Sequence, residues 1–244
     1  MSAHGDGKFP DTRWTVIQRL KSPDATTARR ALDDLCTQYY YPLYCYIRRH
    51  GFDHDDAEDA LHDFLAKLLR LHTFETADAT RGRLRAFLAT ALQRFIANWH
   101  RDHANRAREV PLDLSLPDDD PEKRYRDEQF ADAETPERVF DRKWGHELLE
   151  RVLCRLEQDY VARGRGATFE TLRPVLLAGG SLRGGGSAQI AAALATSEGA
   201  VRAALSRLLA EYRATLENEV AQTVESSAEV DAEIGHLLGV FSGE

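Results

Sequence analysis

Apolar residues recur along the chain at the spacing of one helix face, and no segment alternates apolar and polar residues as a half-buried strand does. Pro42 predicts a break after the first stripe, because proline lacks a backbone N–H, and a further helix is then expected to run to Gly51. The sequence predicts an all-α fold. Its main apolar stripes are Leu32, Leu35 and Tyr39; Ala57, Leu61, Phe64 and Leu68; Leu84, Leu88, Ala91, Phe95 and Ile96; and Val139, Leu148, Leu149, Val152, Leu153 and Leu156.

A stretch rich in proline and acidic residues divides this helical pattern in two. It contains Pro111, Pro117, Pro121 and Pro136, and the acidic run Asp118–Asp120. Such composition is typical of a linker, so we expect two small helical domains joined by it. The predicted order is an N-terminal extension (1–24), a helical domain (25–108), an acidic linker (109–136), a second helical domain (137–216) and an acidic helical tail (217–244).

The net charge of −8 hides two basic segments. Residues 81–108 contain seven arginines and one acid, and residues 138–216 carry +4, whereas 109–137 carry −8 and 217–244 carry −7. Local clusters of Lys and Arg, not the total charge, decide whether a protein binds a polyanion. The charge pattern therefore favours two modules separated by an acidic linker, each with a candidate nucleic-acid surface.

Composition excludes several other classes of protein. Of 244 residues 43% are hydrophobic, which is too many for a disordered chain. No apolar run approaches the roughly 20 residues that span a bilayer, and the N-terminus has no apolar signal core. Three cysteines without CxxC spacing favour neither a disulfide framework nor a zinc ribbon. We expect a cytoplasmic protein without a cofactor, a bound metal or a membrane segment.

Residues 187–208 have the spacing of a helix-turn-helix, in which the second helix enters the major groove of DNA. Ser197 lies in the break and predicts an N-cap for that second helix. An ordinary helical hairpin is the alternative. The expected buried residues are Ile190, Ala191 and Leu194 on the first helix and Val201, Leu205 and Leu208 on the second; the expected outward residues are Glu198, Arg202, Ser206 and Arg207.

The arginine-rich segment 81–108 also contains Phe87, Phe95 and Trp99. Arginine neutralises phosphates, and aromatic rings stack on bases that have left a duplex. The segment therefore predicts a helix that holds one strand of opened DNA, with Trp99 exposed. The alternative places Phe87 and Phe95 in the core and leaves the arginines in solvent.

The segment from His54 to Phe64 begins with four acids that complement a helix dipole: Asp55, Asp56, Glu58 and Asp59. Asp56, Asp59 and Asp63 share one helix face. Capping and solubility account for these acids, but the acidic face also suits a partner surface rich in Arg and Lys.

The order of these segments resembles the extracytoplasmic-function group of bacterial RNA polymerase sigma factors, within the sigma-70 family. Asp56-Ala-Glu-Asp59, followed by His62 and Phe64, resembles the Asp-Ala-Glu-Asp-Leu-x-Gln-x-x-Phe-like signature of the region-two helix, with His62 at or near the usual Gln. Arg83-Leu-Arg-Ala-Phe-Leu88 through Asn98-Trp-His-Arg101 is similar to the helix that melts and reads the promoter element nearest the start site, with Arg94 in place of Asn. Ser187–Leu208 resembles region four. Thr12-Arg-Trp14, Pro136–Trp144 and Glu219–Val224 resemble features of a subgroup.

The resemblance implies a non-enzymatic function in transcription initiation. Its partners would be promoter DNA and core RNA polymerase, through the beta-prime clamp and the beta flap, with an anti-sigma factor or a Ser/Thr kinase as regulator. The implied polymerase contacts are Asp56, Glu58, Asp59, His62 and Asp63. The implied contacts with the proximal promoter element are Arg94, Phe95, Asn98, Trp99, Arg101 and Arg106, and those with the distal element are Arg183, Ser197, Arg202, Ser206 and Arg207.

Two other functions stay open. A free-standing helix-turn-helix regulator would bind DNA without polymerase. A metal-dependent hydrolase would use His54-Asp55 and His62-Asp63, although residues eight apart lie about 80° from one helix face. The tail has an apolar stripe and is expected to form a helix that packs on the second domain or shields its basic surface; the stripe is Val230, Ile234, Leu237 and Phe241.

Overall fold

The computed structural model describes residues 19, 22–70, 83–103, 120–128, 130, 134–182, 186–224 and 226–242, with backbone alone at 69–70, 100–103 and 227. Every regular element in these residues is an α-helix, which confirms the predicted all-α class. The subgroup feature at Thr12-Arg-Trp14 lies outside them. In chain order the helices are α1 (Ala25–Arg49), α2 (His54–Arg70), α3 (Leu84–His103), α4 (Pro121–Asp127), α5 (Pro136–Ala162), α6 (Gly166–Leu177), α7 (Gly186–Ala193), α8 (Glu198–Ala221) and α9 (Ser227–Ser242).

The chain divides into two compact units. The first comprises residues 1–147 and 220–244, and the second comprises residues 148–219. This division differs from the predicted boundaries, because the beginning of α5 and the C-terminal tail both belong to the first unit. Helix α5 is continuous, and its early residues Val139, Phe140 and Trp144 are buried in that unit. A boundary between units therefore falls inside a helix and not in the proline-rich segment.

Helices α1, α2 and α3 build the core of the first unit. The Asp24 carboxylate caps α1 by accepting hydrogen bonds from the backbone N–H groups of Thr26 and Thr27. The predicted apolar stripes of these three helices are buried, apart from Ala91, which is half-buried. The rings of Phe64 and Phe95 join α2 to α3, with centroids 5.6 Å apart. Helical periodicity alone was sufficient to find this core.

The predicted break at Pro42 is wrong, because α1 runs without interruption from Ala25 to Arg49. Proline inside a helix removes a backbone hydrogen bond and costs about 3 kcal/mol. All residues from Tyr39 to Ile47 are buried. Burial of each large apolar side chain stabilises the fold by about 1.5–3 kcal/mol, so the packing around Pro42 outweighs the lost bond.

A short helix, α4, lies within the segment predicted to be a linker. Asp120 caps it by accepting hydrogen bonds from the backbone N–H groups of Glu122 and Lys123, 2.9 and 3.1 Å long. Pro121 stands at the start of the helix, where no N–H is needed. The Glu122 side chain is buried against α1. Thus residues 121–127 of the predicted linker form a helix that packs against α1 within the first unit.

The second unit is built from the rest of α5 and from α6, α7 and most of α8. Its core contains Val152, Leu153 and Leu156 of the predicted α5 stripe, whereas Leu149 of that stripe is half-buried and Val139 belongs to the first unit. The core also contains the predicted α8 residues and residues of α6 that were not predicted. At Gly180, between α6 and α7, φ is +71° and a Cβ would lie 2.8 Å from Leu209, so glycine is required there. The core comprises Val152, Leu153, Leu156, Tyr160, Phe169, Leu172, Leu176, Ala191, Val201, Leu205 and Leu208.

The predicted tail helix is confirmed as α9, but its packing differs from expectation. From residue 220 onward the tail belongs to the first unit, whereas the expectation placed it on the second domain. Just before α9, the Thr223 carbonyl accepts a hydrogen bond of 3.2 Å from the Leu84 backbone N–H at the start of α3. Leu237 is buried and Phe241 packs so close to Gly145 that a Cβ there would lie 2.9 Å from its ring.

Candidate nucleic-acid and protein interfaces

Helices α7 and α8 are separated by a tight turn over residues 194–197. The backbone N–H of Thr196 donates to the Ala191 carbonyl at 2.9 Å, and that of Ala195 donates to the Ala192 carbonyl at 3.2 Å. This pair of bonds ends α7 in a Schellman motif, and Ala195 takes the left-handed conformation with φ +48°. The Ser197 hydroxyl accepts from the Ala200 N–H at 3.2 Å, which confirms the predicted N-cap.

The inward face of this segment is the one predicted for a helix-turn-helix. Val201, Leu205 and Leu208 are all buried on α8. On the α7 side Ala191 is buried, while Ile190 and Leu194 are half-buried. The opposite side of α8 is left exposed, so it is the surface that can meet a ligand.

Arg202, Ser206 and Arg207 lie exposed on that outer surface. The Arg202 guanidinium is 3.0 Å from the Glu198 carboxylate, which also accepts a hydrogen bond of 2.7 Å from the Ser187 hydroxyl of α7. Glu198 thus links α7 to α8 and holds Arg202 along the helix surface. Arg183, the predicted phosphate contact, lies outside the described residues.

Replacement of Ala195 by glycine is expected to stabilise the second unit by about 0.5–1 kcal/mol, because glycine adopts positive φ without a Cβ clash. The Ala193→Gly variant is the matched control: Ala193 ends α7, where glycine is expected to destabilise the helix by a similar amount. Guanidinium-chloride unfolding measures both. If both substitutions changed the free energy of unfolding in the same direction, the backbone of residue 195 would not be strained.

The predicted contacts with the proximal element do not all lie on the surface of α3. Arg94 is exposed and Asn98 is half-buried, with its side-chain amide donating to the Arg94 carbonyl at 2.9 Å. Phe95 is buried against Phe64, and Lys67 lies 5.6 Å from the centre of its ring. No side-chain geometry is described for Arg101, and Arg106 lies outside the described residues.

The prediction that Trp99 is exposed is wrong. Its side chain is 2% exposed and its ring lies 5.1 Å from that of Phe52. The signal was present in the sequence, because Leu88, Leu92, Phe95 and Trp99 follow one another at spacings of four, three and four residues. The polar neighbours of Trp99 in sequence lie on other faces of the helix and say nothing about its burial.

Two arginines of the basic segment are bound within the protein. Arg85, 6% exposed, pairs with Asp141 and donates from Nε to Glu233 at 3.1 Å, while its guanidinium lies 5.3 Å from the Trp144 ring. The Nε of Arg83 is 2.8 Å from the second carboxylate oxygen of Glu233. The net charge of the segment therefore overstates the positive charge that α3 offers to an outside ligand.

The acids at the start of α2 divide between capping and exposure. Asp53 accepts a hydrogen bond of 2.9 Å from the Asp56 N–H and so caps the helix. Asp59 is exposed, whereas Asp56, Glu58, His62 and Asp63 are half-buried. The His62 ring lies 6.3 Å from that of Tyr40 on α1. A partly exposed acidic face therefore exists at the predicted polymerase contacts.

A polar cluster surrounds Glu122, and the sequence did not predict it. Its carboxylate pairs with Arg48 and accepts hydrogen bonds of 2.6 Å each from the Tyr44 hydroxyl and from Arg126 Nε. Burial opposes ionisation, but the two hydrogen bonds and the charge of Arg48 outweigh it, so the pKa of the Glu122 carboxyl lies below its usual value. Local spacing carries no sign of this cluster, because Tyr44 and Glu122 are 78 residues apart.

The described residues do not form the metal site that the two His-Asp pairs would need. They include no group of three or more His, Cys, Asp and Glu side chains placed to hold a metal ion. His54, one of the two histidines considered as a metal ligand, instead has its Nδ1 3.1 Å from the Tyr44 hydroxyl. Nor does any helix in the described ranges have the length and apolar character needed to cross a membrane.

No protein-family model, curated protein or solved structure matches the chain. Assignment of a function therefore rests on the residues and on the geometry described above.

Proposed function

We propose that the chain is a sigma factor of the extracytoplasmic-function group, which directs core RNA polymerase to promoters and helps to melt them. The observation that carries the proposal is the helix-turn-helix geometry of α7 and α8. A capped second helix with Arg202, Ser206 and Arg207 on its outer side matches the needs of a major-groove reader, in which arginine contacts guanine or phosphate.

In this proposal α3 contacts the proximal promoter element through polar groups. Because Phe95 and Trp99 are buried, base stacking by these two rings is not part of it. Arg94 supplies an exposed positive charge for a phosphate, and Asn98 supplies an amide one helical turn away. The exposed arginine and the amide are thus the described groups that would hold a separated strand.

The acidic face of α2 would bind a basic surface of the polymerase beta-prime clamp, and the second unit would bind the beta flap. Asp59 is exposed and Asp56 and Asp63 lie beside it on the same face, half-buried. Charge complementarity of this kind speeds association and selects the partner. Two weak DNA-binding units on one chain would raise the affinity for a promoter through effective concentration.

The test is run-off transcription with purified core polymerase and a promoter library, with and without the chain. Transcripts that depend on the chain are the expected result. Arg207→Gln should raise the Kd for the selected promoter about tenfold, because a lost arginine contact costs about 1–3 kcal/mol. The control Arg138→Gln removes an exposed charge from α5 in the first unit and should change the Kd less than about twofold. Absence of chain-dependent transcripts would reject the proposal.

A second candidate function is a free-standing helix-turn-helix regulator. The burial of Phe95 and Trp99 favours it, because a protein that binds only duplex DNA needs no rings to stack on separated bases. Co-purification with core polymerase distinguishes the two candidates. Binding to promoter DNA without binding to core polymerase would favour the regulator.

A further inference from the structure

Glu233, a fully buried residue of the C-terminal helix α9, contacts two arginines: Arg83 just before α3 and Arg85 in its first turn. Glu233 is fully buried, and its two carboxylate oxygens lie 2.8 Å from Arg83 Nε and 3.1 Å from Arg85 Nε. Beside it, His236 Nε2 is 3.0 Å from the Asp141 carboxylate that also pairs with Arg85. Glu233 thus occupies a site formed by two guanidinium groups.

That site has the chemistry of a phosphate site. Guanidinium groups bind carboxylates and phosphates through the same planar set of N–H donors. Arg83 and Arg85 belong to the segment 81–108, whose net charge is +6, and their partner Glu233 belongs to the segment 217–244, which has seven acids and no base. A carboxylate of the acidic tail is therefore paired with two arginines that could otherwise bind phosphates.

Several features of helix α9 weaken its packing against the rest of the first unit. Its interior contains Gly235 and Gly239, around which the space is open, and glycine weakens a helix. Leu238 is 63% exposed and Phe241 is 39% exposed, so the apolar face is only partly covered. An anionic ligand would replace the negative charge of Glu233, so that the two arginines stay paired when α9 leaves. The released Glu233 carboxylate is then hydrated, which removes the desolvation cost of its burial. Arg83 is partly exposed, so an incoming phosphate can contact its guanidinium while Glu233 is still bound.

We propose that α9 is an internal competitor for an anion site formed by Arg83 and Arg85, and that backbone phosphates of DNA displace Glu233 from this site. The inference rests on the proposed function and adds a form of regulation to it. The tail lowers the affinity of α3 for DNA until DNA is close enough to exchange a phosphate for the carboxylate. The same contact keeps the free protein from binding DNA at random.

The test compares two neutralising substitutions on α9 in the full chain. Glu233→Gln removes the charge that faces the arginines, whereas Asp231→Asn removes an exposed charge two residues away. With a fluorescent DNA duplex of random sequence as the probe, Glu233→Gln should tighten binding about tenfold, an ordinary size for coupling between competing ligands. Asp231→Asn should change binding by less than about twofold.

A second measurement uses the unaltered chain, so it does not depend on how a variant folds. Hydrogen exchange of the α9 amides should become faster when the same duplex is added, because α9 leaves its site. Equal affinities of the two variants, no binding by either, or unchanged exchange of α9 at saturating DNA would each overturn the competition.

These outcomes are separable from those of the transcription test. Equal affinities together with chain-dependent transcripts would reject only the internal competition. A gain in affinity with Glu233→Gln and no transcripts under any condition would reject only the sigma-factor assignment.

Discussion

Replacement of Glu122 by alanine is expected to lower the free energy of unfolding by about 3–5 kcal/mol, the usual cost of removing one partner of a buried ion pair. Glu122 is 6% exposed and its carboxylate has three partners. Its removal leaves the largely buried Arg48 without this counter-charge and takes away the carboxylate that accepts the Tyr44 hydroxyl proton at 2.6 Å. Urea unfolding followed by circular dichroism measures the loss.

The matched control for Glu122 is Arg126→Ala. It breaks the same cluster on its solvent side, where the arginine is 72% exposed, and should cost less than about 1 kcal/mol. Because the pKa of Glu122 is lowered in the folded protein, its contribution is present above the unfolded pKa and is lost as the pH falls through the folded pKa. Glu122→Gln should remove that part of the acid dependence. A Glu122→Ala variant as stable as Arg126→Ala would show that the cluster contributes little.

Replacement of Trp99 by alanine is expected to destabilise the first unit by about 3–5 kcal/mol, as for other tryptophans removed from a core. Its ring is enclosed and lies 5.1 Å from that of Phe52, so the substitution leaves a large cavity. Trp99→Phe should lose less, because most of the ring volume is retained. Thermal unfolding of the purified variants tests the order of stabilities.

The Trp99 series also separates a core role from a base-stacking role. Arg94→Ala removes an exposed neighbour and should change stability by less than about 0.5 kcal/mol while reducing promoter opening, measured by permanganate reactivity of thymines. If Trp99→Ala were as stable as the parent protein but opened no promoter, the ring would act as a DNA contact. The core role of Trp99 would then be rejected.

The buried face of a helix was predictable wherever the spacing of apolar residues within that helix determines it. Val201, Leu205 and Leu208 recur at a helical period, and Ser197 precedes them at the position where its hydroxyl reaches a free backbone amide. These are relations within a few residues. The same logic misjudged Pro42, because a proline inside a helix is tolerated when the neighbouring turns are buried on all sides.

The candidate site was predicted less well, since burial of a polar or aromatic side chain depends on distant segments. The polar neighbours of Trp99 in sequence predict an exposed ring, although the helix period places it with the core residues. The net charge of segment 81–108 predicts one basic surface, yet Arg85 is enclosed between Asp141 and Glu233. Net charge counts side chains and does not record which of them are already paired.

By itself the sequence determined the all-α class, most apolar faces and the capped turn between α7 and α8, because helical periodicity and capping act between residues at most a few positions apart. Only the tertiary structure decided that the tail lies on the first unit, that α4 is held there by Glu122, and that Arg85 meets an acid 148 residues away. Such pairings follow from which helices pack together, and charge alone would have allowed each of these groups many other partners.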